Sequence, residues 1–202
     1  MTERAGAKRR RRRPEEAEAE ILAAAEEALR ELPWHEVTVA RLMDRTTLSR
    51  KSFYVYFRDR NELLTRLMAR LRGQIDGIAD GWRQGADDPD AGRRALMRLA
   101  RLYAEHGHVL RALGQAALED PEARRTWDAF VEAADRRSAQ RIRADVAAGR
   151  ASPDLDPEST ARALCAMNRE YLLATVAERP GADLEQAVDT LQRIWRRTLY
   201  GE

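Results

Sequence analysis

Residues 38–64 of this 202-residue chain read TVARLMDRTTLSRKSFYVYFRDRNELL. Thr38 can cap a short helix, because its hydroxyl can accept a hydrogen bond from an unpaired amide of the first turn. Ser49 can cap a second short helix in the same way. Phe53 and Phe57, four residues apart, can anchor that second helix to a core. The stretch therefore predicts two short helices joined by a tight turn, followed by a longer helix.

The second short helix carries groups that contact nucleic acids. With the two phenylalanines turned inward, its outer surface keeps Arg50, Lys51, Ser52, Tyr54 and Tyr56. From residue 38 to residue 60, six basic side chains stand against two acidic ones. A solvated basic surface would explain the charge alone. The turn, the caps and the paired aromatics instead favour a helix-turn-helix that enters the DNA major groove.

Two motifs in this stretch resemble the TetR family of one-component bacterial regulators. They are Phe53-Tyr-Val-Tyr-Phe57, at the end of the recognition helix, and Arg60-Asn-Glu-Leu-Leu64, at the start of the next helix. In the turn the family usually has Ala-Gly, whereas this chain has Thr46-Thr47. A β-branched residue in a left-handed turn costs on the order of 1 kcal/mol, so we expect a strained or reshaped turn. Lys51 stands where the family usually has Gly or Pro.

Segments beyond the helix-turn-helix resemble the subgroup of the mycobacterial ethionamide-monooxygenase repressor. They are Gly114-Gln-Ala-Ala117, Thr126-Trp-Asp-Ala-Phe130, Met167-Asn-Arg-Glu170 and residues 194–202. The resemblance implies a DNA-binding head and a helical body that binds a ligand and dimerises. It also implies that Trp127 and the pair Met167-Asn168 line a pocket for a lipophilic ligand.

Helical periodicity extends over the rest of the chain. We expect an all-α protein of about nine helices, because β-branched and aromatic residues do not alternate over any useful length. We expect a disordered basic arm over residues 1–14, a helix-turn-helix DNA-binding domain over 15–60, and a ligand-binding and dimerisation domain over 61–202. Gly107 is expected to break the helix that begins near Ala91.

Six consecutive basic residues, Lys8 to Arg13, make up most of the arm. Adjacent like charges repel one another, so this segment should not pack on its own. Near DNA it would neutralise phosphates and release counterions. A solubilising tail and a nuclear-localisation signal are the alternatives, and beside a helix-turn-helix we favour DNA contact.

The predicted DNA-binding residues lie in the helix-turn-helix and at the start of the helix after it. Hydroxyl-bearing and basic side chains at its edge (Thr38, Tyr54, Tyr56, Arg60) are expected to contact phosphates, and the first turn of the recognition helix is expected to face the groove. The full set is Thr38, Arg45, Ser49, Arg50, Lys51, Ser52, Tyr54, Tyr56 and Arg60.

The body carries large and polar side chains on helices that are expected to surround one cavity, which is what a small-molecule pocket needs. The predicted ligand-binding residues are Tyr103, Trp127, Phe130, Met167, Asn168, Tyr171 and Trp195. For each aromatic, an ordinary core position is the alternative. Asn168 lies within an apolar run, so a buried amide there needs hydrogen-bond partners from a ligand or from a neighbouring helix end.

The last two helices carry more apolar side chains than one body should need: Leu164, Met167 and Tyr171 on one, and Val188, Leu191, Ile194 and Trp195 on the other. In the family such a pair forms a four-helix interface, which implies a homodimer. A dimer places two recognition helices about 34–36 Å apart. We therefore expect an approximately palindromic operator.

Signals for catalysis, metals and membranes are weak. His106-Gly-His108 could suggest a metal site, but a glycine break makes a helix end the better interpretation, and no phosphate loop, nucleophile elbow or zinc motif is present. Cys165, the only cysteine, fits a buried core position better than a redox sensor. No apolar stretch approaches the ~18–20 residues that span a membrane. We expect a cytoplasmic protein with no enzymatic activity, cofactor or metal.

Together these features predict a ligand-responsive transcriptional regulator of TetR type. We expect a repressor that binds a double-stranded DNA operator as a homodimer and is released by a small lipophilic ligand. The alternative is a helical nucleic-acid-binding protein without a sensing function, and a cavity in the body would separate the two. A protein-binding adaptor would leave residues 49–56 unexplained.

Overall fold

The structure is a computed structural model, and it describes residues 13–85, 88, 90–179 and 181–201. Most of the basic arm, residues 1–12, lies outside these ranges. The described residues form eight α-helices, one 3₁₀ turn and one π turn, and no strand. The prediction of an all-α fold of about nine helices is confirmed.

The elements follow in chain order as α1 (Pro14–Glu31), a 3₁₀ turn (Trp34–Glu36), α2 (Val39–Met43), α3 (Arg50–Tyr56), α4 (Arg60–Gln84), α5 (Ala91–Ala116), α6 (Pro121–Ala147), α7 (Pro157–Leu172), a π turn (Leu173–Ala177) and α8 (Leu184–Tyr200). The chain divides into two compact units, one up to Arg60 and one from Asn61 onward.

The buried core of the first unit includes side chains of α1 and α2 and two phenylalanines, one in α3 and one directly after it. Ile21 and Leu22 of α1 are buried together with Leu42 of α2. Phe53 and Phe57 are also buried, and their ring centroids lie 5.4 Å apart. The predicted i, i+4 anchor of the second short helix is therefore present, and it fixes which side of α3 faces outward.

Aspartate caps begin the last three helices of the second unit. Asp120 accepts hydrogen bonds from the backbone amides of Glu122 and Ala123 at 2.9 and 2.7 Å. Asp156 and Asp183 cap α7 and α8 in the same manner. A carboxylate at this position pairs an amide that the helix leaves free and also suits the positive end of the helix dipole.

The helix break predicted at Gly107 is wrong, because α5 runs through Gly107 to Ala116. A Cβ atom added at Gly107 would lie 2.3 Å from the Cβ of Ala177 in the π turn. The glycine therefore serves close packing between two helical segments. The interpretation of His106 and His108 as residues of a helix end is wrong for the same reason.

The apolar stripe of α8 is largely used within the protein itself. Val188 and Leu191 are fully buried, and Trp195 is only 9% exposed. Ile194 is the member that stays on the surface, at 38% exposure. The excess of apolar surface that the sequence suggested for a second copy is thus smaller than expected, since a single chain already covers most of the stripe.

None of the helices described is both long and apolar enough to cross a membrane.

Candidate DNA-binding surface and ligand cavity

The turn between α2 and α3 is held by threonine hydroxyls. Thr46 Oγ1 donates to the Met43 carbonyl at 2.9 Å and accepts from the Leu48 amide at 3.2 Å. The amide and the hydroxyl of Thr47 both donate to Glu20 of α1, at 2.6 and 2.8 Å. Only glycines among the described residues have positive φ. The expectation of strain in a left-handed turn is therefore wrong, and the alternative of a differently shaped turn applies.

The two predicted caps differ in the structure. Thr38 accepts a hydrogen bond from the Arg41 amide at 3.2 Å and so caps α2. Ser49 stands at the cap position of α3, but its hydroxyl makes no cap bond there. It lies instead 3.0 Å from the hydroxyl of Ser52. The two serine hydroxyls therefore share a hydrogen bond across the first turn of α3.

The outward surface of α3 combines cations with an aromatic and an aliphatic side chain. Arg50 and Lys51 are exposed, and Tyr54 is 57% exposed while its ring packs edge-on against Phe53 at 5.3 Å. Val55 is 75% exposed. An exposed valine on a groove-facing helix could contact a thymine methyl group, and the sequence analysis did not single out Val55.

Two arginines predicted to contact DNA are engaged within the first unit. Arg60 donates to the carbonyls of Trp34 and Val37, and its guanidinium lies 4.8 Å from the centre of the Trp34 ring. Arg45 forms an ion pair with Glu31. Both guanidinium groups therefore tie elements of the unit together, and contact of Arg45 and Arg60 with DNA stays a prediction.

The remaining predicted DNA-binding residues are at least partly exposed. Thr38 and Ser49 are exposed, as are Arg50, Lys51 and Tyr54, while Ser52 and Tyr56 are half-buried. Six of the nine predicted residues thus lie on α3 or at its N-cap, and Thr38 caps α2. The outward surface of α3 can offer cations and hydroxyl donors to phosphates and base edges.

The second unit contains a cavity of about 470 Å³ whose walls come from α4, α5, α6, α7 and α8. Aliphatic side chains form much of its lining: Ile75, Ile78, Leu96, Leu99 and Leu199. The indole rings of Trp82 and Trp195 also line it and meet edge-to-face at 5.2 Å. A space of this size with apolar walls suits a small lipophilic molecule.

Asn168 lies in the wall of this cavity and is 7% exposed. Its Oδ1 accepts a hydrogen bond from Trp195 Nε1 at 3.0 Å. Indole nitrogen can only donate, so this bond assigns the oxygen and the nitrogen of the amide. The partner of Oδ1 is thus the side chain of Trp195 on α8 and not the end of a helix.

Arg141, which lines the cavity, pairs with Asp145 one helical turn further along α6. Arg141 Nε donates to Asp145 at 2.8 Å, and Nη1 donates to the Trp82 carbonyl. Asp145 is fully buried and also accepts from Arg150 at 2.7 Å and from Tyr200 at 2.9 Å. Burial and the Asp145 carboxylate raise the pKa of the Tyr200 phenol, so it stays a donor.

Cys165 and Ser138 form another polar part of the lining, with the thiol donating to the hydroxyl at 3.2 Å. Burial raises the pKa of the Cys165 thiol to about 11. A protonated thiol is a poor nucleophile, which fits the interpretation of Cys165 as a packed residue. Across the described residues, no three His, Cys, Asp or Glu side chains are grouped to hold a metal ion.

Only Asn168 and Trp195 of the seven predicted ligand-binding residues line this cavity. The other five, Tyr103, Trp127, Phe130, Met167 and Tyr171, are not part of the walls of this cavity, and ligand contact by them stays a prediction. Trp127 packs instead against Phe130 at 5.7 Å between ring centroids and under the Arg169 guanidinium at 5.6 Å.

Sequence reasoning missed the polar wall of the cavity. It predicts only a long connecting helix around Trp82, and it does not single out the α6 residues of the lining (Ala134, Arg137, Ser138, Arg141). A signal did exist, because Ser138, Arg141 and Asp145 recur at helical spacing beside buried Ile142. Polar residues on a core-facing helical stripe indicate either a buried network or a site.

Comparison with known proteins decides the family. Residues 21–67 match the family model "Bacterial regulatory proteins, tetR family", and residues 92–201 match the model "Transcriptional regulator EthR, C-terminal domain". The chain belongs to the TetR family. It is a DNA-binding transcriptional regulator of that family, with its helix-turn-helix in the first unit.

Curated relatives are similar over almost the whole chain. The HTH-type transcriptional regulator EthR of Mycolicibacterium smegmatis is 31% identical, over 96% of this chain and 91% of the relative. EthR of Mycobacterium tuberculosis is 30% identical, over 96% of this chain and 93% of the relative. The resemblance to this subgroup, expected from the sequence, is thus confirmed.

Solved structures share the fold at lower identity. NalD of Pseudomonas aeruginosa, the secondary repressor of the MexAB-OprM multidrug efflux pump, aligns with a TM-score of 0.73 at 20% identity, covering 93% of this chain and 98% of NalD. A TetR transcription regulator from Haloarcula marismortui also aligns at 0.73 and 20% identity, covering 92% and 99%.

Proposed function

We propose that this TetR-family regulator represses transcription as a homodimer on an approximately palindromic operator, and that a small lipophilic ligand in the cavity releases it. The observation that carries the proposal is a cavity of about 470 Å³ with mostly apolar walls, in a chain that also has an exposed cationic recognition helix. The protein would work in the bacterial cytoplasm without a cofactor or an enzymatic activity.

DNA binding is proposed to centre on α3. Arg50, Lys51 and Ser52 would enter the major groove, while Thr38, Tyr54 and Tyr56 would hold phosphates and Ser49 would support the first turn. The basic arm of residues 1–13 would add electrostatic affinity that does not depend on sequence. Relatives named as transcriptional regulators and as a repressor support this assignment.

Release is proposed to act through α4. This helix begins at Arg60 and lines the cavity through Ile75, Ile78 and Trp82. A ligand that binds one position of α4 better than another shifts the population of the protein toward that position. If that position of α4 sets the recognition helices of a dimer at the wrong spacing, binding of the ligand lowers the affinity of the protein for its operator.

The homodimer is proposed to form through α7 and α8. The exposed Ile194 on α8 would lie in the seam, and the two-fold symmetry of a dimer suits a palindromic operator. Introducing charge with Ile194→Glu would bury an unpaired carboxylate if the seam forms there. Sedimentation should then show a dimer for the native protein and a monomer for the variant.

The test of function begins with a selection from random duplex DNA, which should return a sequence with two inverted half-sites. Gel shifts on the selected duplex should show one dimer or more bound, and deletion of residues 1–13 should weaken specific and non-specific binding alike. Recovery of no preferred sequence would favour a nucleic-acid-binding protein of another kind. A compound that fits the cavity should raise the melting temperature and lower operator affinity.

A further inference from the structure

We infer that residues 72–81 of α4 form a movable wall of the cavity, which opens by local unfolding between two fixed points, Leu71 and Trp82. These residues are called the glycine segment below. The inference rests on the proposed function in one respect, because the cavity that the segment would open is the proposed ligand site. It goes further in giving that cavity an entrance and in assigning the entrance to part of one helix.

The glycines of α4 follow a regular spacing. Gly73, Gly77 and Gly81 recur every four residues and so lie on one side of the helix. Each glycine in a helix interior lowers the local equilibrium for helix formation by about four- to fivefold relative to alanine. Together the three glycines therefore weaken this part of α4 by on the order of a hundredfold.

These glycines have no packing role in the structure. A Cβ atom added at Gly73 or at Gly77 would meet no described atom from outside its own stretch of helix within 4 Å. At Gly81 the added Cβ would lie 3.6 Å from Nη1 of Arg98, which is an ordinary van der Waals distance. None of the three glycines has a positive φ. Unlike Gly107, they serve neither a close approach nor a left-handed turn, so their effect on helix stability is what remains.

The two halves of α4 also differ in their packing. The buried residues of this helix all lie in its first half: Leu63, Leu64, Leu67, Met68 and Leu71. Beyond them, the apolar side chains of Ile75, Ile78 and Ala79 are only partly buried, and they line the cavity. Few buried apolar contacts indicate a segment of low local stability. The packing and the glycines therefore weaken the same half of the helix.

Both ends of the glycine segment are fixed. Leu71, which ends the packed half, is 3% exposed. At the other end, the ring of Trp82 packs edge-to-face against Trp195 at 5.2 Å. The Trp82 carbonyl lies in the last turn of α4, where carbonyls have no partner within the helix, and it accepts a hydrogen bond from Arg141. Opening is thus confined to the residues between these two points.

An ion pair holds the glycine segment against α6. Oδ1 of Asp76 lies 2.8 Å from Nη1 of Arg137, which also lines the cavity. Both side chains are partly exposed, so water can replace each partner and the pair contributes only modestly to stability. The glycine segment is therefore closed by a contact that breaks at low cost, and its opening would uncover the cavity on the side of α4.

The first measurement is amide hydrogen exchange of the full-length protein, resolved by mass spectrometry on peptides from the two halves of α4. Relative to their intrinsic rates, amides of residues 73–81 should exchange on the order of a hundredfold faster than amides of residues 64–71. Gly73→Ala combined with Gly77→Ala should slow exchange in the glycine segment by about twentyfold. Equal protection of the two halves in the native protein would overturn the inference, as would unchanged exchange in the double variant.

A matched pair of variants tests the closing contact in the same experiment. Asp76→Asn removes the charge that pairs with Arg137 while keeping side-chain size and helix propensity, and it should speed exchange in the glycine segment by about two- to fivefold. Asp128→Asn, which removes an exposed carboxylate on α6 3.9 Å from Arg124, should leave that exchange unchanged. Equal effects of the two variants would contradict a closing role for Asp76.

The second measurement connects the glycine segment with the cavity through Cys165, which lines the cavity and is the only cysteine of the chain. N-ethylmaleimide that enters the cavity can reach this thiol, and intact mass gives the labelling rate. Gly73→Ala with Gly77→Ala should slow labelling, and Asp76→Asn should speed it. Below the unfolding transition urea should barely change the rate, because a local opening exposes little surface. Labelling as fast as in the unfolded chain, or labelling that neither variant changes, would overturn the assignment of the entrance.

Neither measurement uses a ligand or DNA, so a failure here is distinguishable from a failure of the proposed function. Fast exchange of the glycine segment in a protein that selects no operator would support the movable wall and contradict the proposed repressor. Operator binding by a protein whose α4 is uniformly protected would support the proposed repressor and contradict the movable wall.

Discussion

The proposed recognition helix and the proposed ligand cavity are built in different ways. Helix α3 offers its side chains from seven consecutive residues, and Arg50, Lys51 and Tyr54 among them are exposed. The cavity takes its polar groups from separate helices, with Arg141 on α6 and Asn168 on α7, and buries both. A local stretch of sequence is enough to specify the first kind of site. The second kind depends on which side chains packing brings together.

The contrast between the sites also appears in their energetics. A buried polar group must find its partners within the protein, because a broken hydrogen bond there is not replaced by one to water. An exposed cation can lose its partner at little cost to stability and still matter for binding. Substitutions in the cavity wall should therefore change folding, whereas those on α3 should change DNA affinity.

The largest effect is expected from Asp145→Ala. Arg141 would stay buried without its carboxylate, and breaking such a buried pair costs about 3–5 kcal/mol of the free energy of unfolding. Urea unfolding followed by circular dichroism measures the loss. Asp128→Ala on the same helix removes an exposed carboxylate 3.9 Å from Arg124 and should cost less than about 0.5 kcal/mol. Equal losses in the two variants would contradict the buried network.

The next effect concerns operator binding. Arg50→Ala combined with Lys51→Ala should weaken binding to the selected operator by about 1–3 kcal/mol for each side chain that binds a base edge, and should lower the salt slope by about one for each that binds a phosphate. The free energy of unfolding should barely change. Arg30→Ala, exposed on α1, is the control for charge, measured in the same gel-shift titration. Unchanged operator affinity in the double variant would remove α3 as the recognition helix.

A third effect separates a packed glycine from an open one. Gly107→Ala places a Cβ 2.3 Å from the Cβ of Ala177, and such overpacking costs about 1–3 kcal/mol. Gly73→Ala, in α4, would place a Cβ with no described atom from outside its own stretch of helix within 4 Å and should stabilise the protein by about 0.5–1 kcal/mol through its higher helix propensity. Thermal unfolding of both variants measures the difference. Two changes of the same sign would count against the close packing at Ala177.

The smallest effect is expected at the turn of the first unit. Glu20→Ala removes the acceptor of two hydrogen bonds from Thr47, and because the site is exposed the cost should be about 1 kcal/mol. Operator affinity should fall with it, since the turn sets the start of α3. Glu27→Ala, exposed on the same helix α1, should change neither quantity. Full operator affinity in Glu20→Ala would show that the turn holds its shape without this bond.

Much of the fold could be predicted because the signals that begin and orient helices are local. Proline at the start of α1, the threonine cap of α2 and the phenylalanine pair of α3 each act over no more than four residues. The break predicted at Gly107 failed because glycine has two uses. It can end a helix, or it can let another segment come close, and only the position of Ala177 distinguishes them.

For the predicted DNA-binding residues, the sequence could not show which side chains have partners within the protein. Arg45 and Arg60 looked like free cations, yet their partners Glu31 and Trp34 lie many residues away in the chain. For the cavity the same limit is more severe. Trp127 and Phe130 have the composition of a pocket but pack against each other outside the cavity walls.

The local sequence was sufficient for the helical class, the helix-turn-helix and the exposed face of α3, because these depend on spacing, caps and hydrophobic periodicity over a few residues. Tertiary structure alone showed that Trp195 takes the oxygen of Asn168 and leaves its NH₂ as a donor. It alone placed Arg141 in the same wall. Both results involve groups that are distant in the chain, and burial makes each of their hydrogen bonds matter.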